Sequence, residues 1–197
     1  TPKRLTWYPA SDSARGWTRD GKGILYASTR ETAPSSYERL WVVPATGGAS
    51  KRLPAPFGHD GCFSENGKQL VVEPVTRWDT EWRQYRGGQN KSLIILDLND
   101  LSELLIPCQR TTDTQPIWIG SKIYFLSDRG ELKRSNLWCY EVAAKTLRQV
   151  TRFKDYDVRF PSSSSSTANA AALTFDIGFV PEAFRFGDYV WLDEDRD

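Results

Sequence analysis

The chain has 197 residues and a mass of 22.4 kDa, which is enough for one domain or a large piece of one. A formal net charge of +1 argues against a general nucleic-acid binder and a polybasic membrane sensor, and no apolar run approaches the ~20 residues of a membrane span. The single histidine restricts acid–base catalysis, and the lack of any methionine leads us to expect a piece of a longer chain.

One unit recurs along the chain: an aromatic residue, a glycine-containing turn, and then apolar runs. Copies of the turn region lie at residues 15–22, 61–68 and 116–122, with a weaker copy at 158–161. Asp-Gly and Asn-Gly pairs between apolar runs favour tight hairpin turns, because both residue types tolerate a positive φ. Each copy therefore predicts a strand, a tight turn and a second strand.

Three further sets of short apolar runs follow the same order in every repeat. Second strands are predicted at 24–28, 70–73, 123–127 and 172–175, third strands at 40–43, 93–96, 137–140 and 189–192, and outer strands at 3–6, 51–54, 103–106 and 148–151. Leu5, Leu53, Ile106 and Val150 recur at separations of 48, 53 and 44 residues. Four strands per repeat of about this length are typical of β-propeller blades.

We therefore predict an all-β fold, a segment of a β-propeller with about four antiparallel four-stranded blades in an incomplete ring. The predicted blades are approximately 10–54, 58–107, 113–151 and 155–197, and residues 1–7 are predicted to be the outer strand of a preceding blade. The second strands are almost entirely apolar, as expected for strands that are buried on both faces between neighbouring blades.

A long insertion interrupts the second blade between its second and third strands, and its sequence W-R-Q-Y-R-G-G begins at Trp82. This insertion resembles the W-x-x-Y-R-G-G segment of the first, six-bladed propeller of tricorn proteases. The segments 4–9, 43–48, 122–129 and 151–158 also resemble blades of that family, so that the similarity covers roughly residues 2–161.

The resemblance implies a cytoplasmic serine peptidase that trims oligopeptides. In that family the catalytic serine and histidine lie in a C-terminal region beyond this propeller, so we expect no catalytic residue in this chain. The implied partners are peptides, the remaining domains of the parent peptidase and a possible homo-oligomer, without nucleic acid and without a membrane span. The alternative function is a stand-alone protein-interaction propeller of the Tol-translocation type.

Apart from the resemblance, the sequence contains few residues that could form a catalytic or metal-binding site. The only base for a serine nucleophile is His59, and there is no G-x-S-x-G sequence. His59, Asp60 and Cys62 are close in sequence, but the paired ligands of a structural zinc site are missing. We therefore predict no metal and no cofactor, and we interpret His59 as a residue of the connection between two blades.

Two features point to binding. The insertion interleaves arginines with aromatic residues, and Trp82, Arg83, Tyr85 and Arg86 are predicted to form an interface loop, because such residues dominate interaction hot spots. The alternative for this loop is a packed cover over its own blade. The family resemblance also implies that basic residues of the propeller hold the carboxylate of a peptide; the matching loop offers Arg15, whose alternative role is that of an ordinary blade-edge arginine.

Overall fold

The computed structural model describes residues 3–75, 85–163 and 173–177, the last range by its backbone. These residues contain fourteen strands and no helix. The first blade has β1 (Asp12–Trp17), β2 (Gly23–Ser28), β3 (Arg39–Pro44) and β4 (Lys51–Arg52); the second has β5 (Asp60–Phe63), β6 (Gln69–Glu73), β7 (Ile94–Asp97) and β8 (Glu103–Leu105); the third has β9 (Asp113–Ile119), β10 (Lys122–Ser127), β11 (Asn136–Glu141) and β12 (Thr146–Gln149); and β13 (Val158–Ser163) pairs with β14 (Leu173–Ile177).

Each of the three blades is an antiparallel sheet whose strands lie in the order in which they follow along the chain. This meander arises because each strand is joined directly to its neighbour in the sheet, by a tight hairpin turn or by a longer loop after the second strand, so that no crossover is needed. The β-propeller fold predicted from the repeat is confirmed.

The second strands show why their sequences are apolar throughout. Leu25 and Ala27 of β2 face the second blade, where they share a core with Leu70 and Val72, while Tyr26 between them lies in a cluster on the opposite face. In the next interface Val71 lies in a core with residues of the third blade. Alternate residues of one strand are thus buried in different cores, and full burial of each large side chain contributes roughly 1.5–3 kcal/mol.

The predicted hairpin turns are formed by backbone and side chain together. Gly21 and Gly67 have φ values of +67° and +69°, a region that favours glycine. In the first turn the Asp20 carboxylate accepts a hydrogen bond from the backbone N–H of Lys22 at 3.0 Å. In the second turn the Asn66 side-chain oxygen accepts the corresponding hydrogen bond from the backbone N–H of Lys68 at 2.9 Å. The two turns therefore have the same structure.

Three predicted strands differ from the structure. The outer strand predicted at 148–151 lies two residues earlier, as β12 at Thr146–Gln149. Residues 3–6 form no strand; instead Leu5 packs against the face that carries Tyr26 and Trp41. The outer strand β4 ends at Arg52, two residues earlier than predicted, just before Pro54, which has no N–H to donate. The predicted strand 189–192 lies outside the described residues, and the blade boundaries remain predictions.

Candidate functional site

One end of the sheets carries most of the buried charge. Because the strands alternate in direction, the beginnings of β1, β5 and β9 lie beside the ends of β2, β6 and β10. The long loops after the second strands and the connections between blades also belong to this end, which we call the loop end. The insertion belongs to it, and Arg15 lies in β1 close to it.

In the first blade, the side chain of Arg30 packs at the loop end against the ends of β1 and β2. Asp12 and Ser28 are paired across β1 and β2, and Arg30 donates a hydrogen bond to the Asp12 carboxylate at 2.9 Å. The Arg30 guanidinium also lies over the rings of Tyr26 and Trp41, 5.3 and 5.1 Å from their centroids. The Tyr8 ring centroid is also 5.1 Å from this guanidinium, so an ion pair and three cation–π contacts hold the arginine in place.

The third blade repeats the arrangement residue for residue. Asp113 is paired with Ser127, and Arg129 donates to Asp113 at 2.6 Å and to the Ser127 hydroxyl at 2.9 Å. Its guanidinium lies over Phe125 and Trp138. The sequence signal for this device is a serine at the end of the second strand with an arginine two residues later, which our reading of the sequence missed.

The second blade departs from this pattern. Asp60 takes the place of the strand-one aspartate, but its cross-strand partner is Glu73, and Val75 occupies the arginine position. The ring positions hold Val71 and Ile95. Opposite this aspartate the middle blade therefore has a glutamate where its neighbours have a serine, and the Glu73 carboxylate accepts a hydrogen bond from the backbone N–H of Gln115 at 2.9 Å.

A neighbouring arginine approaches Asp60 from the first blade. Arg15 lies in a β-bulge between Ala14 and Gly16, and its Nη2 atom is 3.3 Å from Nδ1 of His59. Burial raises the pKa of the Asp60 carboxyl, and the charge of Arg15 opposes that rise. The predicted binding residue and the only histidine thus lie together at the junction of two blades.

His59 has a second and closer partner. Its Nδ1 atom lies 2.5 Å from a carboxylate oxygen of Glu38, which directly precedes β3. A nitrogen that donates to a carboxylate cannot also accept from a guanidinium, so the shorter contact assigns the Nδ1 proton to the bond with Glu38. The Nε atom of Arg15 is buried and has no hydrogen-bond partner among the described residues.

The end of the insertion is attached to the third blade. Arg86 pairs with the carboxylate of Asp128 at 2.8 Å and also donates to the Asp128 carbonyl at 3.2 Å. The Asn90 amide donates to the carbonyls of Tyr85 and Arg110. The described part of the loop is therefore packed on its own chain. Trp82 and Arg83 lie outside the described residues, and the interface role of the loop remains a prediction.

His59, Asp60 and Cys62, which lie close together in the sequence, do not form a metal-binding cluster among the described residues. The Cys62 thiol accepts a hydrogen bond from the Trp118 backbone N–H at 3.4 Å, and burial raises its pKa. In the ranges 3–75 and 85–163, no group of three His, Cys, Asp or Glu side chains is arranged to hold a metal ion. Nor does any helix in the described part of the chain have the length and apolarity to cross a membrane.

Comparisons with known proteins place the chain among its relatives. Residues 1–169 match the family model of the tricorn protease N-terminal β-propeller domain. The tricorn protease homolog 1 of Streptomyces coelicolor is 35% identical over 136 residues, which are 64% of this chain and 12% of that protein. The homolog of Saccharolobus solfataricus is 24% identical over 163 residues, which are 82% of this chain and 15% of that protein.

Among solved structures, the putative TolB of Agrobacterium tumefaciens superposes with a TM-score of 0.61 at 17% identity, covering 80% of this chain and 52% of that one. At this identity the likeness concerns the fold alone. The chain spans less than a fifth of the length of the two curated relatives.

Proposed function

Because this chain belongs to the family of tricorn protease N-terminal β-propeller domains, we propose that it is the non-catalytic propeller region of a tricorn-like serine peptidase. It guides oligopeptides or their products and scaffolds the catalytic part of the parent protein in the cytoplasm. The match of the family model over residues 1–169 is the observation that carries this proposal. The partners are peptides, the remaining domains of the peptidase and further copies of the protein.

Arg15 is the residue that we propose for binding the peptide, through its C-terminal carboxylate. Its support is local: the Nε–H of the guanidinium has no hydrogen-bond partner in the described part of the chain, and its Nη2 lies against a ring nitrogen that already donates to Glu38. The Asp60 carboxyl is a neighbouring charge that a peptide carboxylate would share with Arg15. A planar guanidinium fits a carboxylate in a bidentate manner, and burial strengthens such a pair.

The insertion has a separate role in this proposal. Trp82, Arg83, Tyr85 and Arg86 form an interface loop that meets a neighbouring domain of the parent protein or lines the peptide path. The ion pair between Arg86 and Asp128 supports a fixed position for the end of this loop on the third blade. A propeller of the Tol-translocation type is less favoured, because the 17% identity to TolB concerns the fold only.

The test is the binding of N-acetyl-trialanine and of its C-terminal amide to the 197-residue chain, measured by isothermal titration calorimetry. The acid should bind about tenfold or more tightly than the amide, since a hydrogen bond between charged groups contributes roughly 1.5–3 kcal/mol. The Arg15→Gln variant should lose this preference. Arg52→Gln is the matched control, because Arg52 is an exposed arginine paired with Glu31. Equal affinity for the acid and the amide would overturn the proposal.

A further inference from the structure

An open groove lies between the first two blades at the end of the sheets opposite the loop end, which we call the turn end. It has a volume of about 710 Å³ and is flanked by the β1–β2 turn and the β5–β6 turn, and a groove of this size is typical of ligand sites. Val42, Pro44 and Phe63 form an apolar floor. The groove can therefore hold an apolar side chain together with its neighbouring peptide groups.

A glycine explains why the groove lies at this interface. Gly23 precedes the residue of β2 that is paired with the aromatic residue near the end of the first strand, and Gln69 and Lys122 hold the same place in the second and third blades. A Cβ atom on Gly23 would lie 2.8 Å from Cγ1 of Val42, so glycine lets that valine lie against the backbone of β2. Without a long side chain here, the first blade leaves space beside the second.

Two cations on the first-blade wall of the groove have donors to spare. Arg19 is fixed, because its Nε and Nη2 atoms donate to carbonyl oxygens of the second and third blades, and its Nη1 atom has no hydrogen-bond partner among the described residues. The exposed Lys22 ammonium likewise forms no ion pair within the described part of the chain. Both side chains line the groove.

The two carboxylates of the groove differ in what they already bind. In Asp20 the Oδ1 atom accepts hydrogen bonds from the Thr18 hydroxyl at 2.6 Å and from the Lys22 backbone N–H at 3.0 Å, which hold this carboxylate in its own turn. Glu65 lies on the second-blade wall, is exposed and has no ion-pair partner in the ranges that the structure describes. The unengaged charges are therefore cations on one wall and a carboxylate on the other.

We propose that this groove binds an oligopeptide segment in which an acidic side chain stands next to an aliphatic one. The aliphatic side chain packs on the apolar floor, and the carboxylate pairs with Lys22 and with Nη1 of Arg19, where a charged donor held in place loses little freedom on binding. The choice of an oligopeptide as the ligand rests on the proposed function. The site itself is separate from Arg15 and needs no free C-terminus.

The probe is N-acetyl-Leu-Glu-amide, whose two ends are blocked, and its binding to the 197-residue chain is measured by titration calorimetry. It should bind about three- to tenfold more tightly than N-acetyl-Leu-Gln-amide, the range expected when an exposed ion pair is reinforced by a fixed charged donor. N-acetyl-Gly-Glu-amide should also bind more weakly, because it has no side chain to bury on the floor.

Variants assign the preference to the groove. Lys22→Gln should reduce the preference for the glutamate peptide by at least about twofold. Lys68→Gln is the matched control and should leave it unchanged, because Lys68 has the same place in the β5–β6 turn but does not line the groove. Glu65→Gln should strengthen binding of the glutamate peptide, since it removes the carboxylate on the opposite wall. Thermal melts verify that each variant is folded.

The outcomes separate this inference from the proposed function. Equal affinity for the glutamate and glutamine peptides, or equal effects of Lys22→Gln and Lys68→Gln, would overturn the inference. N-acetyl-trialanine and its amide are measured on the same samples: if the acid is still preferred, only the groove has failed. Loss of that preference alone would overturn the proposed role of Arg15 and leave the groove as a binding site.

Discussion

Replacing Arg19 with alanine should weaken the packing of three blades at once. The side chain leaves the first hairpin turn and donates from Nη2 to the carbonyl oxygens of Phe63 at 2.7 Å and Trp118 at 2.5 Å. Its Nε atom adds bonds to the Phe63 carbonyl at 3.0 Å and the Ser64 carbonyl at 3.2 Å. One residue of the first blade is thus bonded to the second and third blades.

The size of the effect follows from these bonds. A hydrogen bond from a charged donor contributes roughly 1.5–3 kcal/mol, and the two shortest bonds of Arg19 lie on different blades. The side chain is partly exposed, so that water replaces some of what is lost. We expect a loss of about 2–3 kcal/mol in the free energy of unfolding, or a fall of about 4–12 °C in melting temperature for a chain of this length.

Urea denaturation and thermal melts of the purified chain measure this loss. Arg19→Lys should lie between the wild type and Arg19→Ala, because one ammonium group keeps the charge but cannot span the same carbonyls as a guanidinium. Arg52→Ala is the control and should cost less than about 1 kcal/mol, since Arg52 forms an exposed ion pair. A variant Arg19→Ala as stable as this control would refute the reasoning.

Three further predictions concern the charges and the array of blades. Asp60→Asn should raise the melting temperature at pH 7 and lose that advantage as the pH falls through the raised pKa of Asp60, until no advantage is left below about pH 4, because burial makes the ionised form of Asp60 destabilise the fold; an equal gain at pH 7 and below about pH 4 would contradict this. Arg86→Ala should destabilise the chain by about 1–3 kcal/mol in urea titrations, since it leaves the buried Asp128 carboxylate without its ion-pair partner, whereas a variant as stable as wild type would show that the loop is not anchored there. Terminal blades of a repeat array lack a neighbour on one side, so sedimentation should show self-association that increases with concentration, and a concentration-independent monomer with a high melting temperature would contradict this.

The repeat made the architecture predictable, because its signals are local. The alternation of Leu25, Tyr26 and Ala27 between two cores requires apolar residues at every position of the strand, which is visible without a structure. The Asp-Gly and Asn-Gly turns are equally local, since a positive φ and a side-chain bond to the next backbone N–H need only neighbouring residues.

The contacts between blades could not be predicted in the same way. Arg19 lies in a turn whose sequence indicates only a hairpin, yet one of its partners is 99 residues away. Arg15 reaches His59, 44 residues away, from a β-bulge that shifts the register of β1; Gly16 is compatible with such a bulge, but no local signal gives the distant partner. Glu38 likewise becomes the partner of His59 only when two blades are packed together.

Under the proposed function, this propeller binds peptides by their carboxyl end without cleaving them. Equilibrium dialysis of N-acetyl-trialanine against the purified chain at pH 5.5, followed by mass spectrometry of both compartments, tests it in one sample. The peptide should accumulate on the protein side and be recovered intact, while its amide distributes evenly. Cleaved peptide, or an even distribution of the acid as well, would contradict it.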